Sequence, residues 1–160
     1  MKKMALLAFA FILFNCNGNA QDAKKEKKVY EITKTDAEWK ASLTNNEYYV
    51  LREAGTERAF SSKFNKEYGA GTYICAACET PLFQGEHKFD SGTGWPSFDR
   101  EIKGNVDFSI DYNLGYARTE EHCGTCGGHL GHVFNDGPKT TGKRHCINGV
   151  AVKFIPKKDE

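Results

Sequence analysis

Val106-Asp107-Phe108-Ser109-Ile110-Asp111-Tyr112 alternates apolar and polar side chains without a break. A period of two is that of an extended chain with one face toward a core. The stretch is therefore expected to be a half-buried strand. Asn113-Leu114-Gly115 follows as a turn, and Tyr116-Ala117-Arg118-Thr119 reads as the return strand. Leu82-Phe83, Gln84-Gly85 and His87-Lys88-Phe89 suggest another hairpin region. His129 to Phe134 and His145 to Ile155 suggest further strands. Sixteen glycines supply the turns this pattern needs. The expected class is mainly β.

Upstream the signals are helical. Thr35-Asp36-Ala37-Glu38 and Thr44-Asn45-Asn46-Glu47 are capping boxes. In each, hydroxyl and carboxylate can satisfy two free backbone N–H groups. The second helix is expected to run to about Ala54 and stop at Gly55. Trp39, Leu43, Tyr48 and Leu51 are expected to pack these short helices against the sheets.

The 160 residues suffice for one domain. A formal net charge of +1 gives no electrostatic reason to expect nucleic acid as a partner. Residues 1–20 combine a Met1-Lys2-Lys3 start with an apolar run from Ala5 to Phe14, which suits a secretory signal and is too short to span a bilayer. Gly18-Asn19-Ala20 is an acceptable cleavage site. Alternatively, Leu13-Phe14-Asn15-Cys16 resembles a lipoprotein signal, with Cys16 lipidated. Either reading exports the protein, to the periplasm or as a cell-envelope lipoprotein. Residues 21–32 are a polar linker, 33–156 the domain and 157–160 a polar tail.

The chain has six cysteines. Cys75-Ala76-Ala77-Cys78 and Cys123-Gly124-Thr125-Cys126 are two Cys-x-x-Cys turns, and two such turns can form a closed tetrahedral four-sulfur zinc site. Four thiolates leave no open position, so one zinc per chain would be structural. In an oxidising compartment the pairs can instead be disulfides or redox-active dithiols.

With Cys16 in the signal, Cys146 is left. In Arg144-His145-Cys146-Ile147-Asn148, strand periodicity places Arg144, Cys146 and Asn148 on one face. A cation beside a thiol favours the thiolate. Cys146 reads as a candidate nucleophile, with a buried inert cysteine as the alternative.

Several separate segments carry a family resemblance: Gly55-Thr56-Glu57-Arg58, Phe89 to Phe98 with Ser91-Gly92-Thr93-Gly94-Trp95-Pro96 inside it, Gly128 to Pro138, and Arg144 to Asn148. With the Cys-x-x-Cys pairs between them, they resemble the methionine-R-sulfoxide reductase (MsrB) family over residues 33–156. The resemblance implies two antiparallel sheets with a structural four-cysteine zinc site, the Mss4-like β fold. It implies reduction of the R epimer of methionine sulfoxide in oxidised proteins. Cys146 matches the nucleophile, which becomes a sulfenic acid. His129 and His132 match the acids or hydrogen-bond donors, and being three apart they need an irregularity in the strand to converge. Asp136 matches a residue orienting the polar cluster, Arg144 one favouring the thiolate, and Asn148 a hydrogen-bonding residue. Trp95 matches the aromatic that receives the S-methyl group.

Thr93 departs from the family pattern, because many members carry a resolving cysteine there. Recycling of Cys146 is then expected to need an external thiol, a thioredoxin-like protein or a small thiol, unless Cys16 supplies it. A monomer is expected. Rival readings are a non-catalytic zinc-stapled β module and an oxidoreductase working through the Cys-x-x-Cys pairs.

Overall fold

The computed structural model describes residues 28–158. The expected signal and most of the linker lie outside the described residues. Helices α1 (Asp36–Ser42) and α2 (Asn45–Glu53) begin on the two capping boxes. The Glu38 and Glu47 carboxylates each accept the cap threonine's backbone N–H at 2.8 Å, and each glutamate's own N–H donates to the threonine Oγ1 at 3.3 Å. Ala54, rather than Gly55, takes the left-handed C-cap of α2.

The strands are β1 (Gly71–Cys75), β2 (Pro81–Gln84), β3 (Lys88–Phe89), β4 (Ser97–Phe98), β5 (Val106–Asp111), β6 (Arg118–Cys123), β7 (His129–Phe134), β8 (Arg144–Ile147) and β9 (Val152–Pro156). They form two antiparallel sheets, one ordered β2-β1-β9 and the other β3-β4-β8-β7-β6-β5. The mainly β expectation, with two antiparallel sheets and short N-terminal helices, holds.

Residues 82–89 do not make a hairpin. A 3-10 turn at Gly85–His87 carries the chain from β2 in the smaller sheet to β3 in the larger. His145 to Ile155 is likewise divided between the sheets by a 3-10 turn at Gly149–Ala151. Between the sheets lies an aromatic core. Phe98 stacks on Phe83 at 4.5 Å and meets Tyr73 edge-on at 4.9 Å, and Tyr73 packs on Phe154 at 4.8 Å. Such pairs add to burial through ring electrostatics. Helix α2 buries Val50 and Leu51, while Trp39 of α1 lies between the cations of Lys34 and Arg52.

Strand β5 forms, and Val106 at its start enters the core, but the rest of its apolar side does not. Phe108, Ile110 and Tyr112 are exposed, while Asp111, at a nominally solvent-facing position, is buried. The strand lies at the edge of the larger sheet. Its polar side meets His122 of β6 through Ser109 and His132 of β7 through Asp111, so the end of the strand inverts the usual meaning of the alternation.

Candidate active site

The two Cys-x-x-Cys turns follow strands of different sheets. Cys75 ends β1 and Cys123 ends β6. The turns share one backbone pattern. Cys75 N–H donates to Thr80 O and Glu79 N–H to Cys75 O, just as Cys123 N–H donates to Gly128 O and Gly127 N–H to Cys123 O. Glu79 and Gly127 both take left-handed φ, 64° and 69°. Arg52 of α2 donates to the Cys126 carbonyl at 3.0 Å.

The four Sγ atoms lie within 4.8 Å of one another, with Cys75–Cys126 at 3.8 Å and Cys78–Cys123 at 3.5 Å. All four are free thiols. A tetrahedron with metal–sulfur bonds of about 2.3 Å has edges of roughly 3.8 Å. The cluster therefore fits a four-coordinate metal ion, which would tie the two sheets together at this end.

Among the described residues, Cys146 is the cysteine outside that cluster. It sits half-buried in β8, paired with Ser97 of β4 on one side and His132 of β7 on the other. Directly paired residues share a face. Ser97, Cys146, His132 and then Glu120 of β6 thus form one row across the sheet. His145 points to the opposite face, where its Nδ1 meets the fully buried Glu121 carboxylate at 2.6 Å.

His129 should face away from His132, since the two are three positions apart along a strand. The register of β6 against β7 resolves this. Glu121 pairs with Gly131 and His122 with His129, so β7 carries one extra residue, Leu130. That bulge turns His129 onto the catalytic face, and the two imidazole centroids lie 5.5 Å apart. Gly131 is bare because a Cβ there would run into the Cys146 carbonyl of the adjacent strand.

Each histidine is oriented by a carboxylate. His132 Nε2 pairs with Asp111 Oδ2 at 2.9 Å, and His129 Nδ1 with Glu120 Oε1 at 2.6 Å. A carboxylate can only accept, so it fixes the tautomer and leaves the other ring nitrogen for chemistry. His129 Nε2 is buried and has no partner among the described residues. Burial pushes the His132 pKa down, against the pull of Asp111, so the imidazole is neutral at neutral pH. Hydrogen bonds from His122 and His129 hold the Glu120 carboxyl well below the usual carboxylate range. The Asn113 backbone N–H, then His132 and Arg118, hold Asp111 low as well.

Arg144 is buried beside the thiol, with its guanidinium 4.4 Å from the Phe134 ring centroid. Asp136 grips it through two hydrogen bonds of 2.9 Å. Asp136 therefore orients the arginine, while the histidines take their partners from β5 and β6. Arg144 and the Thr93 hydroxyl both pull the Cys146 pKa down, but burial is the larger effect and the thiol ends above its ordinary value. At rest it holds its proton.

Asn148 is buried just beyond β8. Its Nδ2 donates to the Leu130 carbonyl at 3.0 Å, and its Oδ1 accepts the Glu57 N–H at 3.0 Å. The Glu57 carbonyl in turn accepts the Trp95 indole N–H at 3.2 Å. Asn148 thus spends its side chain on backbone groups that position His129 and Trp95. The Glu57 carboxylate accepts the Gly149 N–H at 2.5 Å and the Val150 N–H at 3.1 Å.

Sequence reading does not single out Asp111, Glu120, Arg118, Glu57 or Ser97 as site residues. Glu57 stands within a motif already noted. Asp111 stands at a polar position of the clearest alternating strand, where solvent exposure is the ordinary expectation. Nothing in that alternation marks it as buried.

Comparisons with known proteins show the family to which the chain belongs. The SelR domain family matches residues 43–156. Peptide methionine sulfoxide reductase MsrB of Leptospira interrogans is 52% identical over 126 residues, covering 78% of this chain and 96% of that protein. The protein of the same name in Bradyrhizobium diazoefficiens is 47% identical over 137 residues, covering 85% and 99%. That of Thiobacillus denitrificans is 50% identical over 125 residues, covering 78% and 95%. With the family matched over residues 43–156 and about half of the aligned residues identical in these relatives, the chain belongs to the SelR-domain, MsrB-type family of peptide methionine sulfoxide reductases.

Proposed function

We propose that the protein reduces the R epimer of methionine sulfoxide in oxidised proteins, with Cys146 as the redox group. The observation that carries the reading is the direct pairing of Cys146 with His132 on one face, beside Arg144 and Thr93. A protonated thiol on the same face as a neutral imidazole supports a reading of Cys146 as nucleophile and His132 as its base.

As the sulfoxide enters, the Cys146 proton passes to His132, and Arg144 and Thr93 favour the thiolate that forms. The thiolate attacks the sulfoxide sulfur, and the proton moves on to the sulfoxide oxygen, which otherwise leaves poorly. The oxygen is transferred to Cys146. The substrate sulfur is reduced by two electrons, Cys146 is oxidised by two, and methionine and a cysteine sulfenic acid result. The free Nε2 of His129, buried with no partner among the described residues, supports a role for it in hydrogen-bonding the oxygen. Trp95, fixed through Glu57, offers an indole face to the S-methyl group. A rigid wall there distinguishes the two epimers.

Thr93 forms no disulfide. Two external thiols, from a thioredoxin-like protein or a small thiol, return the sulfenic acid to a thiol and release water and a disulfide. The metal at Cys75, Cys78, Cys123 and Cys126 is zinc, one per chain, and its part is to hold the sheets together. The N-terminal signal exports the enzyme, lipidated at Cys16 or cleaved after Ala20, and it works as a monomer on damaged envelope proteins.

The test is turnover of separated R and S epimers of a methionine sulfoxide substrate with dithiothreitol. Turnover of the R epimer alone, abolished by Cys146→Ser, is expected. Activity retained in that variant contradicts the reading.

A further inference from the structure

Phe60 is a large apolar side chain left 66% exposed. Its backbone is left-handed, with φ 63°, a conformation rare for a bulky residue. Strain of this kind persists only where surrounding contacts impose it, and it clusters at functional sites.

The contacts of this segment reach Gly94 and Trp95. Phe60 N–H donates to the Gly94 carbonyl at 2.7 Å. The ring lies on the bare backbone of Gly94, where a Cβ would stand 2.9 Å from ring carbons Cδ2 and Cε2. Earlier in the same segment, the Glu57 carbonyl accepts the Trp95 indole N–H. Ser61 closes the turn through its N–H and Oγ, both donating to Arg58 O at 3.2 and 2.5 Å. Segment 57–60 therefore clamps Gly94 and Trp95 from one side. The clamp needs only backbone atoms, yet it carries an aromatic ring into solvent over Gly94, the residue before Trp95.

We infer that Phe60 is a specificity-determining residue: it receives an apolar side chain next to the methionine sulfoxide in the substrate polypeptide. This rests on Trp95 and Cys146 forming the reaction site. A methionine sulfoxide held at Trp95 carries its chain neighbours outward over the rim. On the Gly94 side the exposed Phe60 ring is a large apolar surface open to such a neighbour. The substrate class selected is an oxidised methionine in an apolar local sequence, the context of a residue normally packed inside a protein.

The experiment compares two pentapeptides with methionine-R-sulfoxide at the centre, flanked on both sides by leucine in one and by serine in the other. For the native enzyme, kcat/KM is expected to favour the leucine peptide by about fivefold, the order that partial burial of one apolar side chain supplies. Phe60→Gly, which suits the left-handed backbone, should bring that ratio to about one. Phe60→Leu should keep most of it. The ratio compares two substrates on one enzyme, so a general loss of rate in a variant leaves it readable. Failure of the site itself would show separately, as turnover surviving in Cys146→Ser. A native ratio near one, or a ratio unchanged in Phe60→Gly, overturns the inference.

Discussion

Asn148 donates twice to the carbonyl of Leu130, through its backbone N–H at 2.9 Å and its Nδ2 at 3.0 Å. Leu130 is the extra residue that turns His129 onto the catalytic face. The same asparagine holds Glu57, which holds Trp95. One buried amide therefore ties the backbone beside His129 to the segment that holds Trp95.

Replacing Asn148 by alanine removes both side-chain ties and leaves the Glu57 N–H without its acceptor. Stability should fall by about 1–3 kcal/mol, the cost of an unsatisfied buried group. Turnover should fall on the order of 100-fold, the usual consequence of displacing reacting groups by about an ångström. Urea unfolding and dithiothreitol-driven kinetics measure the two. Normal turnover in a destabilised protein would show that the ties serve folding alone.

Arg144 lowers the Cys146 pKa while burial raises it further. Removing the guanidinium leaves burial unopposed by that charge, so the pKa of Cys146 in Arg144→Ala must rise. Iodoacetamide alkylation of Cys146, followed by mass spectrometry across pH, should show its midpoint displaced to higher pH and a slower rate at a mildly alkaline pH. A midpoint unchanged by the substitution would mean that Arg144 acts only through Asp136 and Phe134.

Thr93 lies close enough to Cys146 to favour its thiolate. A sulfur at that position should reach the sulfenic acid. Thr93→Cys is expected to form an internal disulfide between the introduced cysteine and Cys146 after one turnover, seen as a peptide cross-link by mass spectrometry. The native chain, treated alike, should show none among its mature residues. A native internal disulfide would contradict external recycling.

The four-sulfur cluster predicts one zinc per chain by metal analysis. Cys126→Ser should lose that metal and lower Tm by on the order of 10 °C, since a few kcal/mol moves a domain of this size by that much. Because the ligands end β1 and β6, the loss should loosen one sheet against the other. A metal-free protein of unchanged Tm would return the Cys-x-x-Cys pairs to the dithiol reading.

Much of the fold is legible locally. The capping boxes at Thr35 and Thr44 start helices where side-chain chemistry says they should. The Cys-x-x-Cys turns announce their cluster, because four ligands at two short spacings have few other uses. Strand β5 is legible as a strand but not in its orientation. Alternation gives the period of a strand, whereas which face is buried depends on where the strand sits in the sheet, and β5 is at the edge. Asp111 escapes sequence reading for that reason. The bulge at Leu130 is a register property of two strands and leaves no mark in one of them, although two histidines three apart demand some such irregularity. The breaks at residues 85–87 and 149–151 are invisible because an apolar run reads alike whether it stays in one sheet or crosses to another.

The central claim is that Cys146 takes the oxygen from the substrate. A single turnover without reductant tests it most directly. The native enzyme, mixed with excess methionine-R-sulfoxide substrate, should release one equivalent of methionine. Trapping with a sulfenic-acid reagent should place one oxygen on the Cys146 peptide, while Cys146→Ser should release none. A full equivalent of methionine with Cys146 still a free thiol, and the oxidising equivalents instead on Cys75, Cys78, Cys123 or Cys126, would contradict the account.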